Sequence, residues 1–247
     1  MRKFPGTAAA AWDPLGRALL DYHRGTTSAQ IVVHSDLWQD EPTPVAEFYR
    51  PEGQALPEIE VRALGLCRGR VLDLGAGAGR HALDLQRRGL EVIALDVAQE
   101  AVQVMRERGV LDARCGDLDT VADDRFDTVL MLMHGIGLVG NLPGLAHFFE
   151  HALRRLTEGG QILCDSADLE LVMNPEEAEL AIKRGDDDRY LGEVEFRLSY
   201  GRLRGEPYPW LFVDPRTLSR VAEAAGLRAE VVARGTRGAY LACLIRR

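Results

Sequence analysis

Cysteine is scarce in this 247-residue chain, with four in all: Cys67, Cys115, Cys164 and Cys243. They are far apart and lie in or beside apolar runs. That excludes a disulfide scaffold and a cysteine metal cage, and they read as small buried hydrophobes of a reduced, cytoplasmic setting. Long apolar runs are lacking too. The longest, "TVLMLMHGIGLVG", falls short of a membrane span and contains His134, while Pro5, Gly6 and Asp13 interrupt any signal-peptide core. Positive charge is in deficit: 30 Lys plus Arg stand against 38 Asp plus Glu, a net −8, so the mean field opposes nucleic acids and anionic membranes. Repeats are absent, and the only biased tract is the charged "KRGDDDR". What remains, 46% hydrophobic and 28% charged, is the composition of a folded globular protein.

Within that composition, short apolar runs alternate with helical periods. "RVLDLG", "LEVIALD" (90–96), "DARCGD" (112–117), "FDTVLMLM" (126–133) and "GQILCD" (160–165) read as strands. Helices are predicted over 80–88, closed by Gly89, over 98–108, closed by Gly109, and over 142–156, closed near Gly159. A further helix over 215–225, capped by Asp214 with Pro215 at its first position, precedes two β-like runs, "RAEVVARG" and "GAYLACLIRR". The pattern predicts an α/β fold, doubly wound, around a mostly parallel seven-stranded sheet with an antiparallel last strand.

Two segments break the alternation. Residues 1–69, with a short helix from Pro14, the β-like "QIVVHS", a Pro-rich connector and a helix over 57–66, read as an N-terminal lid or edge. Residues 70–247 form the main domain. Inside it, the insertion 166–213 alternates Val194, Phe196, Leu198 and Tyr200 with polar residues, the period of a strand, and predicts an antiparallel hairpin over the ligand edge.

The chemistry concentrates in "VLDLGAGAGRH". A glycine-rich turn between strand and helix lets backbone N–H groups and a helix N-terminus face a ligand. The spacing is G-x-G-x-G rather than the dinucleotide G-x-G-x-x-G. Asp73, just before the turn, would repel a pyrophosphate and suit a ligand carrying an ammonium and a sulfonium. Asp96 lies 23 residues further on and Asp117 another 21, each at the end of a successive strand. Asp96 is placed to accept two ribose hydroxyls and Asp117 an exocyclic amine. Each acid taken alone reads equally as a helix cap.

With these residues in view, the chain resembles class I S-adenosylmethionine-dependent methyltransferases over roughly 70–165. "VLDLGAGAGRHALDLQRRG" is similar to their first motif, "VIALDV" to their second-strand acid, "CGDL" to their third motif, and "LTEGGQILCD" to the Gly-Gly turn before their fifth strand. The resemblance implies S-adenosyl-L-methionine as cofactor. Asp73, Gly75, Ala76, Gly77 and Gly79 would hold its methionine part, Asp96 the ribose, and Val97, Gly116, Asp117 and Leu118 the adenine, with Met133 beside them. The methyl group would emerge at "MLMHGIGLVGN", where base-methylating motifs of the Asn-Pro-Pro-Tyr or Pro-Cys type are missing.

His134 is there instead, either as a proton acceptor or as packing around the cofactor. Tyr49, Arg50, Asp168, Tyr208 and Trp210 are the candidate contacts to a small-molecule methyl acceptor. No metal is expected: "HFFEH" (147–151) has an H-x-x-E-H form, but its His and Glu fall opposite the apolar stripe of their helix, on a solvated face. Asp186, Asp187 and Asp188 read as a surface turn. Neither nucleic acid nor membrane is favoured as a partner, and a monomer or homodimer is expected. The alternatives are a non-catalytic protein that binds S-adenosylmethionine or S-adenosylhomocysteine, and an NAD-dependent oxidoreductase, disfavoured by the glycine spacing and Asp73.

Overall fold

The computed structural model describes residues 8–174, 177, 179 and 189–247; most of the charged tract, including Asp186, Asp187 and Asp188, lies outside them. Five parallel strands lead the main sheet: β3 (Arg70–Leu74), β4 (Glu91–Asp96), β5 (Ala113–Cys115), β6 (Phe126–Met131) and β7 (Leu156–Ala167). With β11 (Leu227–Arg234) and β12 (Ala239–Arg246) they form the order β11-β12-β7-β6-β3-β4-β5. The chain's last strand, β12, runs antiparallel to both its neighbours. β3 pairs in parallel with β4 on one side and β6 on the other. Strand order therefore reverses beside β3, the place where such sheets open a crevice at their carboxyl ends.

Successive strand residues face opposite layers. On one face Leu72, Val129 and Ile162 pack against Phe148, Phe149 and Leu218 from α6 (Leu142–Arg155) and α7 (Pro215–Ala224). On the other face Val71, Ala94 and Leu130 meet Leu85, Val102 and Met105 from α4 (Arg80–Arg87) and α5 (Gln99–Glu107). Ala63 and Leu64 of α3 (Glu58–Leu66) join this second layer, so α3 packs on the main sheet although it precedes residue 70. The helix starts are cap-driven. Asn141 accepts the Gly144 N–H, and Asp214 accepts those of Arg216 and Thr217 ahead of a Pro in the first turn.

The Gly-Gly turn expected before the fifth strand lies within β7 instead. α6 ends at Arg155 and β7 begins at once; Gly159 (φ 74°) and Gly160 lie inside the strand. The partners of β6 jump there from Leu156 to Gln161, so the glycines form a bulge.

The two irregular segments turn out to be one structure. Within the insertion β9 (Leu203–Arg204) and β10 (Tyr208–Leu211) pair antiparallel with β8 (Glu193–Tyr200), and β8 pairs antiparallel with β1 (Gln30–Ser35), which in turn pairs with β2 (Glu41–Pro44). Helix α1 (Ala9–His23) lies between this second sheet and the main domain. It begins five residues before Pro14, where the sequence predicts its start. Pro14 has no N–H to donate back to Ala10, and the Glu206 N–H, arriving from the turn before β10, reaches the Ala10 carbonyl at 3.4 Å instead. On its other side Gly16 faces Ala98 closely, where a Cβ would sit 3.2 Å from the Ala98 Cβ. Proline and glycine thus fasten α1 to both units. The short helix α2 (Ala46–Tyr49) follows β2. Phe149 is fully buried in the first layer, and Phe149→Ala should lower unfolding free energy by about 3–5 kcal/mol in urea titration.

Candidate functional site

The carboxyl ends of β3, β4, β5 and β6 open into one cavity of about 270 Å³. Its floor is the β3–α4 turn, where Gly75, Gly77 and Gly79 have φ of 78°, 55° and 77°. Only glycine adopts this left-handed region without penalty. A Cβ at Gly77 would meet nothing within 4 Å, so that position opens onto the cavity. At Gly79, which does not line the cavity, a Cβ would fall 2.7 Å from Val110 and 3.0 Å from Met105. Its missing side chain serves helix packing instead.

Asp96, the last residue of β4, lines the cavity. Its Oδ2 accepts the Gly77 N–H at 2.8 Å and its Oδ1 the Ala98 N–H at 2.9 Å. Burial pushes this carboxyl up, and the N–H groups pull against that. Each oxygen keeps a lone pair for a ligand hydroxyl. Asp117 accepts the Asp119 N–H at 3.0 Å, capping the turn Leu118–Val121, and lines the same side as Ala76, Val97, Gly116 and Leu118. Here the capping and ligand-facing readings coexist in one side chain.

Asp73 departs from the sequence expectation. It is 1% exposed and absent from the cavity wall, because β3 is paired on both sides and turns this side chain into a face of the sheet rather than out at its edge. Burial pushes its carboxyl up, the charge of His81 opposes that, and the Ala82 N–H donates to it. Oδ2 has no hydrogen-bond partner. The carboxyl group therefore lies behind the glycine turn and not on the cavity wall.

Next to it lies a cluster that the sequence reading missed. Glu60 of α3 accepts from Arg80 Nη2 and pairs with His81 Nε2 at 2.8 Å; all three are at most 6% exposed. Arg80 Nη1 donates to the Glu47 carbonyl at 2.6 Å and contacts Met133 Sδ at 3.2 Å. Arg80 and His81 line the cavity. Burial raises the Glu60 carboxyl, but the His81 hydrogen bond and the charges of His81 and Arg80 outweigh it and hold Glu60 below its ordinary range. The signal was the "RH" directly after the third glycine, which opens α4; its partner Glu60 lies in a helix without any motif.

Beyond Met131 the backbone is strained, with Met133 and His134 at φ 62° and 58°. The His134 N–H is held by buried Asp165 Oδ1 at 2.8 Å, whose carboxyl burial pushes up. His134 lines the cavity, 5.5 Å between ring centroids from Phe212, and its Nδ1 is buried with no partner. Opposite stand Trp12 of α1 and Phe196, Tyr208 and Trp210 of the second sheet. Trp210 lies directly over Gly137, where any Cβ would overlap its indole.

Three expected acceptor contacts are elsewhere. The Tyr49 hydroxyl bonds His23 Nδ1 at 2.8 Å, and its ring lies 4.0 Å from the Arg108 guanidinium. Arg108 also binds the Tyr49, Arg50 and Ala78 carbonyls, turning that corner away from the cavity. Asp168 caps the turn Leu169–Leu171 where β7 ends, beside the start of β12. Tyr208 and Trp210 do line the cavity. His151 is not on a solvated face either: it is 5% exposed, and burial lowers its pKa. Cys115 is exposed rather than buried. Among the described residues no group of three His, Cys, Asp or Glu could hold a metal. Ser199 Oγ, His34 and Asp40 form a relay, with His34 at 2.8 Å and 2.7 Å from its two partners, but Ser199 is 3% exposed on a strand paired along both edges and offers no accessible nucleophile.

A nucleoside-binding crevice in a seven-stranded sheet with this order defines a Rossmann-like methyltransferase fold. Comparison agrees. Residues 71–160 match a methyltransferase domain model. An S-adenosylmethionine-dependent methyltransferase from Bacteroides fragilis, crystallised with S-adenosyl-L-homocysteine, is 36% identical with 97% of each chain covered and a TM-score of 0.85. The chain belongs to the S-adenosylmethionine-dependent methyltransferase family, and its cofactor is S-adenosyl-L-methionine. Magnesium-protoporphyrin O-methyltransferase of Rhodobacter capsulatus is 30% identical over 69 residues, so the chain spans 31% of the length of that curated relative. The sugar N-methyltransferase KedS8 from Streptoalloteichus shares the fold alone, at 16% identity and TM-score 0.54 over 81% of this chain and 92% of that one.

The donor set fits the cofactor. Asp96 presents carboxylate oxygens beside an open glycine turn, as ribose hydroxyls require, and the residue buried behind that turn is the acid Asp73 rather than a cation that would hold a pyrophosphate. The buried Glu60 cluster supports that floor. Glu60→Gln leaves Arg80 and His81 without their anion and should destabilise the fold by about 3–5 kcal/mol at neutral pH. Because the native carboxyl is held below 4.5, its stabilisation is present above that pH and is lost as pH falls through the folded value. The gap between wild type and variant, measured by urea titration, should therefore narrow below about pH 4.5.

Proposed function

We propose that this protein transfers the methyl group of S-adenosylmethionine to a small-molecule acceptor enclosed between the main sheet and a lid made of α1 and the second sheet. One observation carries this reading: a single cavity joins the Asp96 carboxylate and the glycine turn to His134 and an aromatic wall. An enclosed site of this kind takes a compact acceptor more readily than a chain of nucleic acid, which the net charge of −8 also opposes.

In this reading Asp96 holds the ribose hydroxyls, the Gly116–Leu118 segment borders the adenine, and Gly75, Ala76 and Gly77 hold the methionine part, with Asp73 behind them. Bound there, the cofactor would supply an electrophilic methyl group for the acceptor's lone pair, with its sulfonium sulfur as the leaving group that keeps the C–S electron pair. His134 takes the proton that the acceptor atom gives up. Its strained backbone, fixed by Asp165, aims the ring at the cavity, and Phe212 limits its swing. The lid excludes water and aligns the acceptor, which supplies much of what methyl transfer requires.

Asp96→Ala should weaken S-adenosylhomocysteine binding about ten- to hundredfold by calorimetry, the worth of hydrogen bonds to a charged group. NAD should give no heat with either protein. A screen with labelled methyl donor identifies the acceptor, and with it His134→Asn should lower kcat about 10²–10⁴-fold. Turnover unchanged in that variant would remove His134 from proton transfer.

A further inference from the structure

The two walls of the cavity differ in chemistry. Every charged or titratable side chain lining it, apart from the Tyr208 phenol, belongs to the main domain: Arg80, His81, Asp96, Asp117 and His134. The lid wall carries no Asp, Glu, Lys, Arg or His among the described residues and is built on Trp12, Phe196, Tyr208, Trp210 and Phe212. These rings form a connected cluster, tilted or edge-on to one another. Trp12 lies 4.8 Å from Tyr208 and 5.9 Å from Trp210, and Phe196 is 6.2 Å from both Tyr208 and Phe212. Among the described residues, the lid's only polar side-chain groups in this wall are the Tyr208 hydroxyl, on a residue 4% exposed, and the indole N–H groups of Trp12 and Trp210.

A charged acceptor would lose its hydration against this wall with no opposite lid charge to replace it. An ammonium would gain cation–π contact from the rings but find no lid carboxylate, and a phosphate or carboxylate no lid cation. A neutral, flat, apolar body would instead cover the rings and gain both burial and stacking. A single hydroxyl or carbonyl on it could pair with the Tyr208 hydroxyl.

Building on the methyltransferase reading above, we infer that the acceptor is an uncharged, planar, apolar molecule, an aromatic alcohol or a similar compound, seated against Phe196 and Trp210 with its nucleophilic atom toward His134. Phe196, Tyr208 and Trp210 are then the residues that set acceptor specificity. The same wall disfavours amino sugars, whose ammonium finds no lid carboxylate and whose hydroxyl-bearing ring is not flat.

The test uses the full chain saturated with S-adenosylhomocysteine at neutral pH, titrated with 2-naphthol, 2-naphthoate, 2-naphthylmethylamine and glucosamine. Binding is read by calorimetry and by quenching of tryptophan fluorescence. The neutral naphthol should bind at least about tenfold tighter than either charged analogue, and glucosamine should not bind. Phe196→Ala should weaken naphthol about tenfold, the loss of one aromatic contact, with thermal unfolding confirming that the variant folds. The charge series on the wild-type chain tests the inference even if that variant does not fold. Absence of naphthol binding, equal or tighter binding of a charged analogue, or binding of glucosamine overturns it. Failure of S-adenosylhomocysteine itself to bind overturns the methyltransferase reading, a separate result visible before any acceptor is added.

Discussion

The cavity depends on one close approach. Gly137, in the turn after β6, has no side chain, and Trp210 of the second sheet fills that space with its indole. A side chain of any size there would push Trp210 off the end of β6, taking β10 and the aromatic wall with it. Two further fastenings hold the same arrangement from the other side: the Glu206 N–H on the Ala10 carbonyl freed by Pro14, and Gly16 against Ala98. All three rest on something that a residue lacks, a Cβ or an amide hydrogen, and each gap is filled by the opposite unit.

Charge is distributed as unevenly as packing. The main-domain half of the cavity concentrates carboxylates and their cationic partners, several of them buried with raised or depressed acidities. Such perturbed groups collect where ligands bind, because a site must hold charges that water would otherwise solvate. The lid half is apolar and aromatic. A cofactor that is polar at both ends, with a sulfonium between, suits the first half, and the contrast with the second lets one pocket hold two ligands of opposite character without confusing them.

Much of the first half was legible in the chain. "VLDLGAGAGRH" and the acids at intervals of 23 and 21 residues placed the crevice, since strand–turn–helix units repeat at nearly constant length and bring their strand ends to one edge. The same reading erred at Asp73, because spacing gives a residue's height along a strand but not which way its side chain turns once the strand is paired on both sides. It missed Glu60, whose meaning comes only from Arg80 and His81 twenty residues later. Tyr49, Arg50 and Asp168 resembled ligand contacts by residue type, and were drawn elsewhere by Arg108 and by the end of β7 beside the start of β12.

The sequence by itself determined the doubly wound sheet, the family and the cofactor edge, because these arise from local periods, caps and glycine turns that each segment carries alone. Only the tertiary structure decided that β1, some 160 residues away, would pair with the insertion strand β8, and that the resulting lid would present rings rather than charges to the cavity. Pairing between distant strands depends on which faces remain unburied after the main sheet has formed, and no short stretch of the chain contains that information.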